Sequence, residues 1–535
     1  MLRILCVVLS AASVMAQSDG QLRLALHTDP KTFNPLMVED ESSEIIRYLT
    51  GGVLIRRNRL TQELEGELAL TWRVSEQGRR IEFQLRPGVL FSDGTPFSCP
   101  DAAYTLQQLM DPALHSPAGD SFRSTPGSIE ALCSGPASLS VRFPGPVAAL
   151  AGRFDQVAML SAHSPHPESA VLGAFCVREY KPGEYVQLEH NPNYWKKDAN
   201  GKQLPYLRSI RLDIQQNREI ELLRFRRGEL DVISKLDPEM YERLSAESKT
   251  VVDAGPSLDW EVVFFNQVSQ APLPSFKRGW FRSTGFRRAI SEAINRDDLR
   301  RIAYRGRAQA ASGPVSVANR FWLNAALKPQ AHSVADALHR LEAEGFHRMG
   351  DVLLDREGHR VEFSMITNAG NKRHERMLTL IQQDLAQLGI RLNVLTLDFS
   401  SLVERISRTY DYESCLMAFT NIDLDPSDQM NIWLSSAANH QWNPNQKIPQ
   451  TPWEARIDEL MEAQAASTDP ARRKAYFDEV QQIVAEQAPM IFLVHPDVLA
   501  AVSANLRNVS VAVVGPQVIW NAERLYFGPA LVSHR

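Results

Sequence analysis

The sequence is poor in several features that mark common classes of protein. Its five cysteines in 535 residues include no Cys-x-x-Cys pair, which argues against a zinc ribbon and against thioredoxin-like redox chemistry. Lys and Arg number 58 against 63 Asp and Glu, so neither a nucleic acid nor an anionic membrane surface is an expected partner. No apolar run approaches the roughly 18 residues that a membrane-spanning helix needs.

Signatures of common catalytic sites are also missing. There is no Gly-x-Ser-x-Gly elbow, no phosphate-binding Gly-x-x-x-x-Gly-Lys-Ser/Thr loop and no Gly-x-Gly-x-x-Gly after a strand. His163 and His166 form the only close histidine pair, and Pro165 and Pro167 prevent a helical metal site there. We therefore expect no catalytic residue, no bound metal and no cofactor.

The first residues have the pattern of a secretory signal. Arg3 gives a positive start, residues 4–9 are apolar, and residues 14–16 provide a cleavage position. We expect cleavage near Ala16-Gln17 and export to the periplasm or beyond it. Cys6 lies too early in this segment to carry a lipid, so the mature protein is expected to be soluble and not lipid-anchored.

Four cysteines remain after such a cleavage, namely Cys99, Cys133, Cys176 and Cys415. An oxidising compartment permits disulfides, and four thiols allow three complete pairings. The sequence does not choose among these pairings.

Two stretches that are far apart in the chain predict α/β structure. The first has the pattern of strand, helix and strand at 210–214, 218–227 and 230–233. The second repeats this pattern at 361–366, 375–388 and 390–394. Between them, Phe286, Ala289 and Ile290 lie along one face of a predicted helix. Because no long Pro- or Ser-rich linker separates the two units, they are expected to pack as lobes.

Longer motifs resemble a known family. Residues 69–78, Ala-Leu-Thr-Trp-Arg-Val-Ser-Glu-Gln-Gly, and the stretch 81–97 closely resemble the signature of the family 5 extracellular solute-binding proteins. These proteins are the oligopeptide, dipeptide and nickel receptors of ABC importers. Further similar motifs follow in family order, including Tyr180-Lys-Pro-Gly183, Asn191-Pro-Asn-Tyr-Trp195 and residues 287–296. The resemblance covers essentially the whole chain after Leu22.

This resemblance implies an α/β, two-lobed periplasmic-binding-protein fold of type II, in the large cluster with an extra domain. Mixed sheets with flanking helices would enclose a ligand cleft between the lobes. After a signal peptide at 1–16, the implied domains are a discontinuous domain I at 17–50, 171–270 and 491–535, domain II at 51–170, and domain III at 271–490. Domain III would form the opposite lobe, with hinge crossings near residues 270 and 490.

The resemblance also indicates where the ligand lies. In peptide-binding relatives, the segment after the first Asn-Pro contacts the ligand, and a cleft Asp four residues before a Pro pairs with the peptide ammonium. Ile422 occupies that position before Pro426, so either Asp423 or Asp425 has the role, or the ligand has no ammonium group there. The candidate ligand-binding residues are Val38, Glu39, Asn266, Gly313, Pro314, Phe419, Thr420, Asn421, Asp423, Asp425 and Trp442.

The resulting hypothesis is an exported receptor, not an enzyme. It would bind a peptide or peptide-like molecule and deliver it, as a monomer, to an ABC permease with its ATPase subunits. One alternative is an exported hydrolase in which Asp423 and Glu39 act as acid and base. Another is a sensor or chaperone that does not feed transport. The ligand stays open among peptides, sugars, opines and metal chelates.

Overall fold

A computed structural model describes residues 20–529 except 112, 121, 123–126, 167–168, 248–250 and 421–422. The predicted signal segment and its cleavage site at Ala16-Gln17 lie outside the described residues. Two residues of the predicted cleft loop, Asn421 and Ile422, also lie outside them.

The described residues form twenty-two strands. Their bounds are β1 Gln21–Leu26, β2 Ile55–Arg57, β3 Leu64–Gly66, β4 Ala69–Ser75, β5 Arg80–Leu85, β6 Glu130–Cys133, β7 Ser138–Arg142, β8 Phe175–Lys181, β9 Tyr185–His190, β10 Ser209–Ile214, β11 Val232–Ile233, β12 Val251–Pro256, β13 Trp260–Phe265, β14 Ala308–Ala310, β15 His347–Met349, β16 Val352–Leu354, β17 Glu362–Asn368, β18 Arg391–Leu397, β19 Ser414–Phe419, β20 Met490–Val502, β21 Leu506–Arg507 and β22 Tyr526–Phe527.

Fifteen α-helices occur in the same described residues. Their bounds are α1 Glu41–Thr50, α2 Cys99–Met110, α3 Pro117–Asp120, α4 Leu150–Arg153, α5 Arg218–Arg226, α6 Pro238–Glu247, α7 Ser275–Arg282, α8 Thr284–Ala293, α9 Arg296–Asp298, α10 Val334–Ala343, α11 Lys372–Gln387, α12 Phe399–Glu404, α13 Met430–Trp433, α14 Pro452–Ala466 and α15 Pro470–Gln487.

Strand β20 connects the two halves of the largest sheet. This sheet has twelve strands in the order β18-β17-β19-β13-β20-β11-β1-β10-β9-β8, and β12 and β14 also pair with β20. Residues 490–494 of β20 pair with β13, whereas residues 497–502 pair with β12 and β11. The chain therefore crosses between the halves inside β20 and again between β12 and β13. The first expected crossing, at residue 270, lies after the β12–β13 connection, and the domain boundaries given above remain predictions.

Both predicted strand-helix-strand units are present, which confirms the α/β class. In the unit of β17, α11 and β18, the two strands are neighbours in the sheet and are paired in parallel. In the unit of β10, α5 and β11, strand β1 lies between the two outer strands and pairs with both in parallel. Asn217 and Asn371 begin the two helices, since each side chain accepts a hydrogen bond from a backbone N–H of the first turn.

A separate four-stranded sheet, β4-β5-β7-β6, builds a second core with α2. Along β5, buried and more exposed residues alternate, and Ile81, Phe83 and Leu85 are all buried in this core. A disulfide joins Cys99, in the first turn of α2, to Cys133 at the end of β6. Of the remaining cysteines, Cys176 and Cys415 are free thiols. The structure thus contains a single bridge and none of the three complete pairings.

Helix α8 carries its apolar face into the core of the C-terminal half. Phe286, Ala289 and Ile290 are fully buried there, among side chains of β13, β17 and α11. The predicted helical periodicity is therefore confirmed, because this face is the one that leaves water.

We expect Ile290→Ala to lower the free energy of unfolding by about 2 to 5 kcal/mol, because it leaves a cavity in a close-packed core. Urea denaturation monitored by tryptophan fluorescence measures the loss. Ile220→Ala on α5 is the matched control, since the Ile220 side chain is 45% exposed, and it should change stability by less than ~0.5 kcal/mol. Equal losses in both variants would contradict the assigned burial.

Candidate ligand-binding cleft

A cleft of about 660 Å³ lies where the two halves of the large sheet meet the region of the four-stranded sheet. Residues from both chain crossings contribute to it, within 257–261 and 496–499. Its remaining lining comes mainly from residues within 35–47, 149–156 and 418–428. The expected cleft between lobes is therefore present, and it is bounded by parts of the chain that are hundreds of residues apart in sequence.

The cleft brings together five of the candidate residues, namely Val38, Glu39, Thr420, Asp423 and Asp425. Five other candidates do not line it, namely Asn266, Gly313, Pro314, Phe419 and Trp442. The eleventh, Asn421, lies outside the described residues. The loop after β19 and the loop before α1 therefore face each other across the same space.

Some candidates that do not line the cleft support its wall from behind. Asn266 is fully buried, and its side-chain amide donates hydrogen bonds of 2.8 Å to the carbonyls of Tyr410 and Tyr412. Trp442 is also fully buried, and its Nε1 donates to Glu454 Oε1 at 3.1 Å. These buried polar contacts hold the chain on both sides of β19, as satisfied hydrogen bonds in a low-dielectric core do.

Of the two aspartates considered for the ammonium-binding role, Asp425 has a structural partner. Arg473 Nη1 donates to Asp425 Oδ2 at 2.9 Å, and the Ser427 backbone N–H donates to Asp425 Oδ1 at 2.9 Å. Burial raises the pKa of Asp425, but these contacts with Arg473 and Ser427 outweigh it, so the pKa lies below its ordinary value. Asp425 therefore anchors the loop.

Asp423 has a different environment. It can be reached from the cleft, and within the described part of the chain no side chain pairs with its carboxylate. Asp423 is exposed to the cleft, but the protein atoms that surround the cleft desolvate its carboxylate. This desolvation, together with the negative charges of Asp428 and Glu44, raises the pKa of Asp423 to about 7, against the smaller opposing effects of Arg153 and Arg59. An acid held at this pKa gains most from a cation that arrives with the ligand.

A group of arginines forms the opposite wall. Arg59 and Asp155 make a buried ion pair at 2.7 Å, and the Arg57 backbone N–H donates to the same carboxylate at 2.9 Å. The Arg57 guanidinium donates to the carbonyl of Gln62 at 2.6 Å, and burial lowers the pKa of Arg57. Arg57 therefore presents a cation to the cleft without a carboxylate of its own in the described residues.

Two contacts join the region of the four-stranded sheet to the segments after β19 and β14, one across the cleft and one beside it. Arg153 Nη1 lies 2.8 Å from Asp428 Oδ1, an ion pair that joins α4 to the segment after β19. Gln62 Nε2 donates to the carbonyl of Ala318 at 2.8 Å. We call these two contacts the interlobe bridge. They place the structure in an arrangement in which the two sides of the cleft touch.

A buried network of hydrogen bonds around Glu261 positions one more arginine, Arg373, at the cleft. Glu261 is 1% exposed, and it accepts hydrogen bonds from Tyr304 and from the ring of His374, the latter at 2.9 Å. Burial raises the pKa of Glu261, but His374, Arg373 and Tyr304 together hold it below its ordinary value. Arg373 lies 3.5 Å from Glu261 and lines the cleft, so the network fixes this guanidinium in place.

Sequence reasoning selected neither the arginines nor Asp428 as ligand-binding candidates. Arg57, Arg59 and Arg153 lie in or beside the four-stranded sheet region, and nothing local marks them as different from surface charges. Arg373 had a weak signal, because it follows a predicted strand at the start of a helix, which is a common place for ligand-binding groups in α/β folds.

No helix in the described part of the chain is long and apolar enough to cross a membrane. In those residues there is also no group of three or more His, Cys, Asp or Glu side chains that could hold a metal ion.

Comparison with known proteins relates this architecture to a family of receptors. The family model described as "Bacterial extracellular solute-binding proteins, family 5 Middle" matches residues 63–441. The "Probable ABC transporter-binding protein" of Deinococcus radiodurans is 26% identical, over 89% of this chain and 87% of its own. The "Oligopeptide-binding protein AppA" of Bacillus subtilis is 22% identical, over 92% of this chain and 89% of its own.

A solved structure has the same fold. The ABC transporter substrate-binding protein CtaP of Listeria monocytogenes superposes with a TM-score of 0.79 at 19% identity, covering 95% of this chain and 99% of that one. This agreement confirms the predicted two-lobed architecture. Together with the family match over most of the sequence, it shows that the chain belongs to the family 5 bacterial extracellular solute-binding proteins.

Proposed function

We propose that this protein is the exported receptor of an ABC importer, and that it captures a small peptide-like solute with a free amino group. The observation that carries the proposal is the Asp423 carboxylate, which faces the cleft without an ion-pair partner in the described residues. The Bacillus subtilis relative is named for binding oligopeptides, which supports the ligand class.

The charges of the cleft suit a ligand that carries both signs. An ammonium group at Asp423 would compensate the repulsion among Asp423, Asp428 and Glu44 through charge-assisted hydrogen bonds. A ligand carboxylate has two cations available, Arg57 and Arg373. Bidentate arginine-carboxylate contacts would fix its orientation.

The size of the cleft agrees with this ligand class. Small-molecule sites have volumes of about 300 to 1,000 Å³, and the observed 660 Å³ lies within that range. A short peptide or a molecule of similar size would fill it, whereas a folded protein segment would not.

Capture requires that the ligand favour the closed arrangement. The interlobe bridge, Arg153 to Asp428 and Gln62 to Ala318, forms only when the two walls meet. A ligand that contacts Asp423 on one wall and the arginines on the other adds its binding energy to the same closed state, and this differential affinity drives closure.

Delivery completes the proposed role. We infer that residues 1–16 direct export, that cleavage near Ala16-Gln17 releases a soluble monomer without a lipid anchor, and that the closed form docks on a membrane permease with its ATPase subunits. The family's extracellular character supports this location. The hydrolase alternative is tested directly by the titrations below, since Glu39 and Asp423 both line the cleft.

We expect binding to depend on the ligand's amino group and on Asp423. A library of di- to tetrapeptides, with sugars, opines and metal chelates beside it, identifies binders by thermal stabilisation. For the tightest peptide, N-acetylation should weaken binding about tenfold or more, because hydrogen bonds to charged groups contribute ~1.5–3 kcal/mol. Asp423→Asn should remove most of this difference, whereas the exposed Asp297→Asn should not.

The same pair of ligands has a predicted pH dependence. Because Asp423 has a pKa of about 7 in the free protein, lowering the pH from 8 to 6 protonates it and weakens binding of the free amine. The acetylated peptide should show a smaller change. Calorimetric titration with mass spectrometry of the recovered peptide measures affinity and cleavage together. Release of hydrolysis products would contradict the receptor assignment, and equal affinity of both peptides would contradict the role of Asp423.

We expect Arg153→Met to open the cleft and to lower ligand affinity about two- to fivefold, since partly exposed ion pairs contribute ~0.2–1 kcal/mol. Small-angle X-ray scattering should show a larger radius of gyration without ligand. Arg301→Met is the control, because it removes an exposed ion pair to Asp298 on the surface of one lobe. If the control and Arg153→Met gave the same radius and affinity, the interlobe bridge would have no part in closure.

A further inference from the structure

Strand β20 changes its partners at His495, Pro496 and Asp497. Before this point it pairs with β13, and at this point its partners are β14 and then β12. The register with β12 is irregular between Asp253 and Pro256, where Pro256 is opposite Asp497. Asp497 therefore lies on the segment that joins the two halves of the sheet, and it also lines the cleft.

The Asp497 side chain is partly buried, and its carboxylate lacks the partners that such an acid ordinarily has. Its Oδ1 is shielded from solvent and, among the described residues, has no hydrogen-bond partner. The nearby cation, Arg307, is committed to Asp253 by a hydrogen bond of 2.8 Å. Burial and the charge of Asp253 together raise the pKa of Asp497 to about 6, and Arg307 offsets them only in part.

Two other acidic groups at this end of the cleft, Asp237 and Glu261, have structural roles. Asp237 Oδ1 accepts a hydrogen bond from the Met240 backbone N–H at 2.9 Å and so begins α6. Glu261 is held by His374 and Tyr304. Asp497 differs from both because its charge is neither paired nor used to hold an element.

The charges of the whole cleft also favour a cationic ligand. Its described lining residues include twelve acidic and seven basic side chains. Arg47, Arg59 and Arg153 are each paired with a carboxylate of the same lining, and so is Lys235, to Glu41 at 2.6 Å. After these pairs are made, the cleft still has more negative than positive groups, which favours a ligand with excess positive charge.

We propose that Asp497 is a second cation-binding subsite, and that the solute is a basic peptide-like molecule with an ammonium or guanidinium group in addition to its amino terminus. This inference rests on the proposed function and deepens it. Asp423 holds the terminal amine from the wall of the cleft, and Asp497 holds the basic side chain at the hinge strand.

This arrangement has a physical reason. A partly buried carboxylate without a cation of its own destabilises the free protein, and a ligand cation that reaches it from the cleft offsets this cost on binding. Because Asp497 lies on the hinge segment and Asp423 on the loop after β19, a ligand that touches both residues connects the hinge to one wall. Uncharged side chains of the same length leave the Asp497 carboxylate unpaired.

The test compares peptides that differ by one ammonium group. Three tripeptides of alanine with lysine at the first, second or third position are titrated beside their norleucine counterparts, and 1,5-diaminopentane is titrated beside pentylamine. The proteins are wild type, Asp497→Asn, Asp423→Asn and the surface control Asp297→Asn. In wild type, at least one lysine peptide should bind about tenfold or more tightly than its norleucine partner.

Asp497→Asn should reduce this lysine preference to less than about twofold, while Asp297→Asn and Asp423→Asn retain it. Because the ionised Asp497 is destabilising above a pH of about 6, the ligand-free Asp497→Asn protein should also have an equal or higher Tm at pH 8. Higher stability with lower selectivity is not expected for a residue whose role is to hold the fold.

Some outcomes of this test would overturn the second subsite alone, and one would also overturn the peptide assignment. If the norleucine peptides bind but lysine gives no advantage, or if the advantage survives in Asp497→Asn, the second subsite is overturned and the peptide-receptor assignment stands. If Asp497→Asn weakens all peptides equally and lowers Tm, Asp497 is structural and the subsite is likewise overturned. If no peptide and no amine binds, the subsite and the peptide assignment are both overturned.

Discussion

The arrangement of this protein depends on one strand that belongs to both halves of its largest sheet. β20 pairs with β13 at its start and with β12 and β11 at its end, so the backbone hydrogen bonds of both halves converge on thirteen consecutive residues. A rotation of one half against the other must be absorbed near His495 to Asp497, where the pairing changes. Hinges of this kind are a few residues at the ends of rigid elements. The cleft lies beside this segment, so under the proposed function the same residues would set the geometry of closure and the geometry of binding.

The charged groups of the cleft are of two kinds, those that are paired within the protein and those that are not. Most of its charges are paired across short distances, such as Arg59 with Asp155 and Arg153 with Asp428. Such pairs hold the walls in place. Because their charges already compensate each other, they contribute little to binding a charged ligand. Asp423, Asp497 and Arg57 remain incompletely compensated, and each has a pKa shifted against its charged form by burial. Groups that the fold leaves unsatisfied are the ones that a ligand can satisfy, at a cost to the stability of the free protein.

Local sequence patterns were sufficient to predict the helices and strands, but not to predict which residues line the cleft. The apolar face of α8 and the strand-helix-strand unit ending in β18 were readable because each depends on residues within one helix or two adjacent strands. The position of β1 between β10 and β11 could not be read, since it depends on pairing across most of the N-terminal half. The sequence left Asp423 and Asp425 as alternative candidates for the ammonium-binding role. The contact of Asp425 with Arg473, which lies in a helix further along the chain, distinguishes the two. Trp442 and Asn266 were chosen for their residue type and family position, whereas their burial is a property of the packed lobe.

The late position of β20 in the sequence also affects how the chain folds. β1 pairs with β10, nearly two hundred residues away, and the sheet cannot be completed until residues 490–502 are available. Contacts of such long sequence separation form slowly, because the entropy of closing large loops must be overcome first. For a chain secreted from its N-terminus, as we propose, the strand that unites both lobes emerges among the last. The two halves of the large sheet can therefore be joined only after nearly the whole chain has emerged.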